Sequence, residues 1–192
     1  MQKPRESKRK AGGRERLLAT ARRLFTSHGA ANVGINDVTD TAGVARMTPY
    51  NNFASKEALT LAVYEEMVEA TLGRLRGMSG IGKSETARIA ELFEFFAGRS
   101  RESGYRGCPF IHASLQAAEP TGPMHALVQS YKRALRQHVV ELLDARRANR
   151  DELADQIVIL LDGAVTELYI RGVTDPMKAA ARAAKTLLAA RP

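Results

Sequence analysis

The chain has 192 residues, a formal net charge of +8 and a single cysteine, Cys108. That length suits one domain or two small ones with a real core. The lone thiol excludes an intrachain disulfide and fits a reducing, cytoplasmic setting. No run of about 18 apolar residues is available to span a membrane, and the N-terminal charges lead into no apolar block, which excludes a secretory signal. The charge is also uneven. Residues 1–30 carry nine Lys and Arg against Glu6 and Glu15, and so hold seven of the eight surplus charges. A basic end on an otherwise balanced chain suggests a polyanionic partner.

Residues 1–12 read as a basic disordered tail. Helical spacing then recurs throughout, with no strand pattern of any length, so the expected fold class is all-α. Leu17, Ala21, Leu24 and Phe25 mark one face of a first helix from about Gly13 to His28, which "HGAAN" ends. A short segment from Gly34 to Ala42 follows, with Ile35, Val38 and Ala42 facing inward. Gly43 breaks the chain, and Val44 to Phe53 forms a third element. Ser55 can cap a longer helix through its hydroxyl, and Leu59, Val63, Met67 and Ala70 supply that helix's buried stripe.

"GMSGIGKS", from Gly77 to Ser84, reads as a linker, with Ser84 as the next cap. Beyond it Ile89, Leu92, Phe93 and Phe96 share one face. "ESGYRGCPF" is a loop that places Pro109 in the first turn of a short helix. "EPTGP" is a second loop. Met124, Val128, Tyr131, Leu135, His138 and Leu142 then define a long helix, and "ARRANRDE" reads as a polar turn. Leu153 to Tyr169 is apolar on nearly all sides. A helix of that kind is buried all round, and one small domain does not cover it, so a partner chain is inferred. The last helix is alanine-rich, which permits close helix approach.

Two short helices joined by a tight glycine turn, behind a basic helix, make a helix-turn-helix. Such a motif places its second helix in the major groove. Arg46 can donate two hydrogen bonds to guanine, and Met47 and Thr48 can offer methyl contacts to thymine. Tyr50, Asn51 and Asn52 carry donors that reach phosphates. Lys56 and the free N–H groups behind Ser55 favour another phosphate.

The stretch "RLLATARRLFTSHGAANVGINDVTDTAGVARMTPYNNFASKEALTLAVYEE", and within it "AGV....PYNNF.SKEAL", resembles the DNA-binding domain of the TetR family of transcriptional regulators. The resemblance covers about Arg14 to Glu65. It implies a helical fold of two domains: a helix-turn-helix reader over 13–75 and a helical regulatory and dimerisation domain over 80–192. It also implies a homodimer joined through the last two long helices, a pseudo-palindromic duplex as partner, and repression relieved by a small, largely apolar effector. The DNA-contacting set it implies is Gly34, Asn36, Ala45, Arg46, Met47, Thr48, Tyr50, Asn51 and Lys56. Three positions depart from the family pattern. Ala45 stands where Ser or Thr is usual, so a capping side chain is lost. Gly34 replaces the usual Thr or Ser, leaving only its backbone N–H for a phosphate. Pro49 replaces an aliphatic residue and lacks an N–H. Either the second helix starts late, with Thr48 as its cap, or its first turn is irregular.

Beyond residue 75 the resemblance is thinner. Polar groups on apolar helices are pocket candidates, because a buried polar group needs a partner. Cys108, His112, Gln116, His138, Asp162, Thr166 and Tyr169 qualify, with Phe93 and Phe110 as apolar walls. Each taken singly also reads as an ordinary core or interface residue. Arg106 and the adjacent helix start would lower the Cys108 thiol pKa, and a constitutive or thiol-sensing DNA-binding regulator without a small-molecule inducer is the alternative. No HExxH, CxxC, phosphate loop or nucleophile elbow is present. The four histidines show no metal-ligand spacing, so neither a metal nor another cofactor is expected. A helical enzyme and a non-specific DNA-coating protein are the distant alternatives.

Overall fold

The computed structural model describes residues 4–78, 80, 82–101, 105–117 and 121–190, with side chains from residue 12 onward. Its described residues form an all-α fold: α1 (Pro4–His28), a 3₁₀ turn (Ala30–Asn32), α2 (Ile35–Ala42), α3 (Thr48–Asn52), α4 (Lys56–Arg76), α5 (Glu85–Arg99), α6 (Pro109–Gln116), α7 (Pro123–Leu142), α8 (Arg150–Arg171) and α9 (Asp175–Ala189). No helix among them is long and apolar enough to cross a membrane.

Helix α1 starts at Pro4, inside the segment read as a tail. Gly12 and Gly13 look like a break in the sequence, yet the helix passes through both. The stripe of Leu17, Leu18, Ala21 and Phe25 buries against α2, α3 and α4, and that burial outweighs the roughly 1 kcal/mol each glycine costs a helix. Helix α2 ends at Gly43, whose φ of 60° lies in the left-handed region. Its N–H donates to Asp40 O at 3.2 Å, and the Val44 N–H donates to Thr39 O at 3.3 Å, so the turn satisfies the helix's last carbonyls. Val38 is the buried residue of the expected face; Ile35 and Ala42 are only half-buried, and Thr39 lies inside instead.

Helix α4 runs unbroken from the reading unit into the second half. Ser55 caps it, accepting from the Ala58 N–H at 3.2 Å. Leu59, Val63 and Met67 are buried as expected, but Ala70 is exposed and the stripe continues through Thr71, Leu72 and Leu75. Position 70 lies eleven residues, about three turns, from Leu59 and keeps its face; the buried side of α4 instead turns toward Thr71, whose hydroxyl takes a bond from Arg99 of α5 at 3.2 Å. Ser84 caps α5 in the same way, accepting from the Ala87 N–H at 3.3 Å. Of the linker read as 77–84, Ser79 and Ile81 lie outside the described residues.

An aromatic chain ties the second half together. Phe110 meets Tyr64 edge-on, with centroids 6.4 Å apart, and lies 4.2 Å from Tyr131, so α4, α6 and α7 share one apolar centre. Helices α7 and α8 are latched by ion pairs on their flank. Lys132 Nζ reaches Asp162 at 2.5 Å, and Arg136 reaches Asp151 at 3.0 Å and Asp155 at 2.5 Å. Helix α8 is not buried all round in one chain. Leu153, Ala154, Ile157, Leu161, Ala164, Val165 and Leu168 are inside, while Ile159 and Ile170 remain 70% and 68% exposed.

The turn over Ala145–Asn149 does more than connect. Glu85 at the start of α5 accepts the Asp144 N–H at 2.9 Å and bonds from both Nε and Nη2 of Arg147, and the same Nη2 also donates to the Leu188 carbonyl in α9. One arginine thereby clasps α5, the α7–α8 turn and α9.

Candidate nucleic-acid interface

Helix α3 is only five residues long. Ala45 to Met47 forms an irregular turn before it, closed by Thr48 N–H donating to Ala45 O at 2.8 Å. Met47 is the N-cap residue and Pro49 the second helical residue. The late start expected from Pro49 therefore occurs, but Thr48 is the first helical residue and not the cap. Pro49 is buried, and a position whose N–H would have no helical acceptor accepts a proline at little cost.

The outer surface of this segment is built from Asn36, Ala45, Arg46, Met47, Tyr50 and Asn51, all exposed. Met47 and Tyr50 are 61% and 55% accessible. Lys56 is half-exposed at the first turn of α4, and Glu57 beside it has its carboxyl pKa lowered by the Ser55 hydroxyl and backbone N–H bonds. Behind the surface, Phe53 is buried and carries the Arg14 guanidinium 5.3 Å above its ring. That contact fixes the C-terminal end of α3 to α1.

Three expected contacts are differently placed. The Gly34 N–H donates to Asp37 Oδ2 at 2.7 Å, so the α2 capping carboxylate takes the donor that a phosphate would need. Thr48 turns its methyl toward Gly13 of α1. It supports the helix from behind and does not offer that methyl to a base. Asn52 likewise spends its amide on the Thr48 carbonyl, at 2.7 Å.

The expected effector residues do not form one pocket. Cys108, Phe110 and Asp162 line a cavity of about 20 Å³ with Tyr131 and Arg99. His112 and Gln116 line a separate cavity of about 70 Å³ between α1, α4 and α6. Tyr169 is partly exposed, edge-on to the His112 ring at 6.2 Å. Phe93 belongs to the closed core, and Thr166 is exposed with its hydroxyl donated to Asp162 O. His138 is half-buried, its Nε2 has no partner among the described residues, and burial lowers its pKa.

The thiol expectation reverses. Burial pushes the Cys108 thiol up, against weaker opposing effects of the Ile111 and Phe110 N–H groups and Lys132. Desolvation of a thiolate outweighs the helix start. Cavity residues that sequence reading missed are Arg99, Tyr105 and Tyr131. Burial raises the Tyr105 phenol to about 12, and its Oη is enclosed without a hydrogen-bond partner among the described residues.

A short donor-bearing helix presented outward by a glycine turn, braced by a basic helix, defines an all-α helix-turn-helix protein. Known proteins agree. The sequence pattern described as "Bacterial regulatory proteins, tetR family" matches residues 17–63. The uncharacterised HTH-type transcriptional regulator Rv1255c of Mycobacterium tuberculosis is 42% identical over 60 residues, 31% of this chain and 29% of that one. The HTH-type transcriptional repressor KstR2 of Mycolicibacterium smegmatis is 26% identical over 83 residues, 43% of this chain and 40% of that one. These curated relatives are thus matched over less than half of their own length. The crystal structure of SCO4454, a TetR-family transcriptional regulator from Streptomyces coelicolor, superposes with a TM-score of 0.80 at 26% identity, over 93% of this chain and 95% of that one. Residues 17–63 therefore resemble the DNA-binding segment of the TetR family of bacterial regulatory proteins, and the fold as a whole resembles that of a TetR-family regulator.

Proposed function

We propose that this chain is a sequence-specific DNA-binding transcriptional regulator, acting as a homodimeric repressor in the cytoplasm and released from its operator by a small molecule. The observation that carries the reading is the exposed row Arg46, Met47, Tyr50 and Asn51, held outward on a braced helix-turn-helix. Residues 13–75 form the reading domain and residues 80–192 the regulatory and dimerisation domain. Arg46 reads a base edge, Tyr50 and Asn51 reach phosphate or base edges, and Lys56 binds a phosphate. Support for repression comes from the name of KstR2, and support for regulation from that of SCO4454.

The dimer reading rests on α8 and α9. Ile159 and Ile170 leave a large apolar area open on α8, beside the alanine-rich α9. A two-fold dimer requires a two-fold site. Selection of bound duplexes from a random pool tests the whole reading. A pseudo-palindrome with half-sites about one helical turn apart, or a multiple of it, is expected. Recovery of single half-sites or of no shared sequence contradicts it.

A further inference from the structure

The 70 Å³ cavity lies at the junction between the reading unit and the second half. Phe25 and the 3₁₀ turn close it from one side, Met67 and Tyr64 of α4 form its back, and the start of α6 closes the other side. Its charged and titratable lining is basic or neutral. Arg99, Arg106 and His112 bring basic groups, Asn32 and Gln116 bring amides, and Tyr105 brings a phenol; no carboxylate stands among the described walls. Arg99 spends one arm on the neutral Thr71 hydroxyl, at 3.2 Å. Among the described residues neither Arg99 nor Arg106 has a carboxylate within ion-pair distance. Two guanidinium groups lining one cavity, with no carboxylate among its described walls, suit an anion, and above all a planar carboxylate.

A second opening adjoins this one. A groove of about 590 Å³ shares Ala30, Tyr64 and Gln116 with the cavity and runs on past Leu61, Ala113 and Met124. Its walls are mainly apolar, and Glu57 lines it together with Lys56. A ligand with a charge at one end and an apolar body fits both spaces.

We propose that the junction between α1, the 3₁₀ turn and α6 binds an amphipathic monocarboxylate, with the carboxylate at Arg99, Arg106 and His112 and the apolar tail along Leu61, Ala113 and Met124. The His112 ring is held for this by its edge contact with Tyr169. Such a ligand touches both the reading unit and the second half, so it biases their relative arrangement directly. That consequence rests on the reading of the chain as a ligand-released DNA-binding protein; the binding itself does not.

Octanoate is titrated calorimetrically into the full chain, with octan-1-ol as its neutral counterpart. Saturable binding of one octanoate per chain, at least tenfold tighter than octanol, is expected. Arg99→Gln and Arg106→Gln should each remove most of that preference. Arg106 is exposed, so its variant keeps the fold even if Arg99→Gln disturbs it. Absence of saturable binding, equal affinity for octanol, or an unchanged preference in Arg106→Gln overturns the site. Operator affinity measured with and without octanoate separates the two ideas. Arginine-dependent binding that leaves operator affinity unchanged upholds the site and removes only its role in release.

Discussion

A β-carbon built on Gly13 would lie 3.0 Å from the Thr48 methyl, so α1 and α3 meet at a point where no other residue fits without displacement. Gly12, one position earlier, has nothing within 4 Å. The two glycines thus make opposite predictions. Gly12→Ala removes backbone freedom from the unfolded chain and should stabilise by about 0.5–1 kcal/mol. For a chain of this size that is a rise of roughly 1–4 °C. Gly13→Ala gains the same propensity but must push back Thr48, which Pro49 holds in place. It should give no such rise and should weaken duplex binding by shifting α3. Thermal melts of the two variants side by side check this; equal gains would mean that the Thr48 contact yields freely.

Arg46 and Lys56 should fail in different ways. Arg46 stands in the irregular turn before α3, exposed and facing outward with Met47. Arg46→Ala should cost about 1–3 kcal/mol per half-site and relax preference at one base pair. Lys56→Ala should weaken all duplexes alike and reduce the salt slope by about one per half-site. Binding isotherms at several salt concentrations on matched and mismatched duplexes separate the two. A uniform loss in both variants would deny Arg46 a base-reading role.

Local signals were the legible ones. Ser55 and Ser84 read as caps because a hydroxyl before an apolar period has one favourable use, and both make the bond. Pro49 announced a late helix. What stayed hidden depends on distant partners. Nothing near Gly13 in sequence says that Thr48 will sit against it. Arg147 lies in a run that reads as a polar turn, yet it meets Glu85, 62 positions away. Arg99 reads as one more basic residue at a helix end; only the fold brings it beside Tyr105 and the end of α1. The Cys108 expectation failed for the same reason, since burial is a property of the fold and helix position a property of the chain.

Glu85 makes stability acid-sensitive in a defined window. Its bonds from Arg147, and secondarily from the Asp144 N–H, outweigh burial and hold its folded pKa below the usual 4.5. A lowered folded pKa means that the contribution is complete above about pH 4.5 and is lost as pH falls through the folded value. Asp144 and Asp155, lowered by Arg146 and Arg136, act in the same direction. Glu85→Gln should therefore be less stable than the parent at pH 7 and approach it as the pH falls below 4.5 through the lowered folded value. Arg147→Ala should cost about 2 kcal/mol, since it also frees the Leu188 carbonyl. Denaturant melts between pH 3 and 7 test both, and a pH-independent gap between parent and Glu85→Gln would remove the clasp from the acid response.

The exposed apolar residues of α8 offer the sharpest test of the dimer. Ile159 and Ile170 are 70% and 68% exposed on one helix, whereas Leu115 of α6 is 78% exposed on another. Exposure alone would treat the three alike. A dimer through α8 and α9 would not. Burial of an isoleucine stabilises by about 1.5–3 kcal/mol, and a two-fold interface counts each residue twice. Ile159→Asp replaces that gain with a carboxylate desolvated in the proposed interface. It should convert the dimer to monomer at micromolar concentration while leaving the helical signal intact. Duplex affinity should fall with it, because two tethered readers bind a two-fold site far more tightly than one. Leu115→Asp, on a helix outside the proposed interface, should leave both sedimentation and duplex affinity unchanged. If Leu115→Asp dissociates the dimer and Ile159→Asp does not, the chains associate through α6 instead, and the two readers stand in a different geometry from the one proposed.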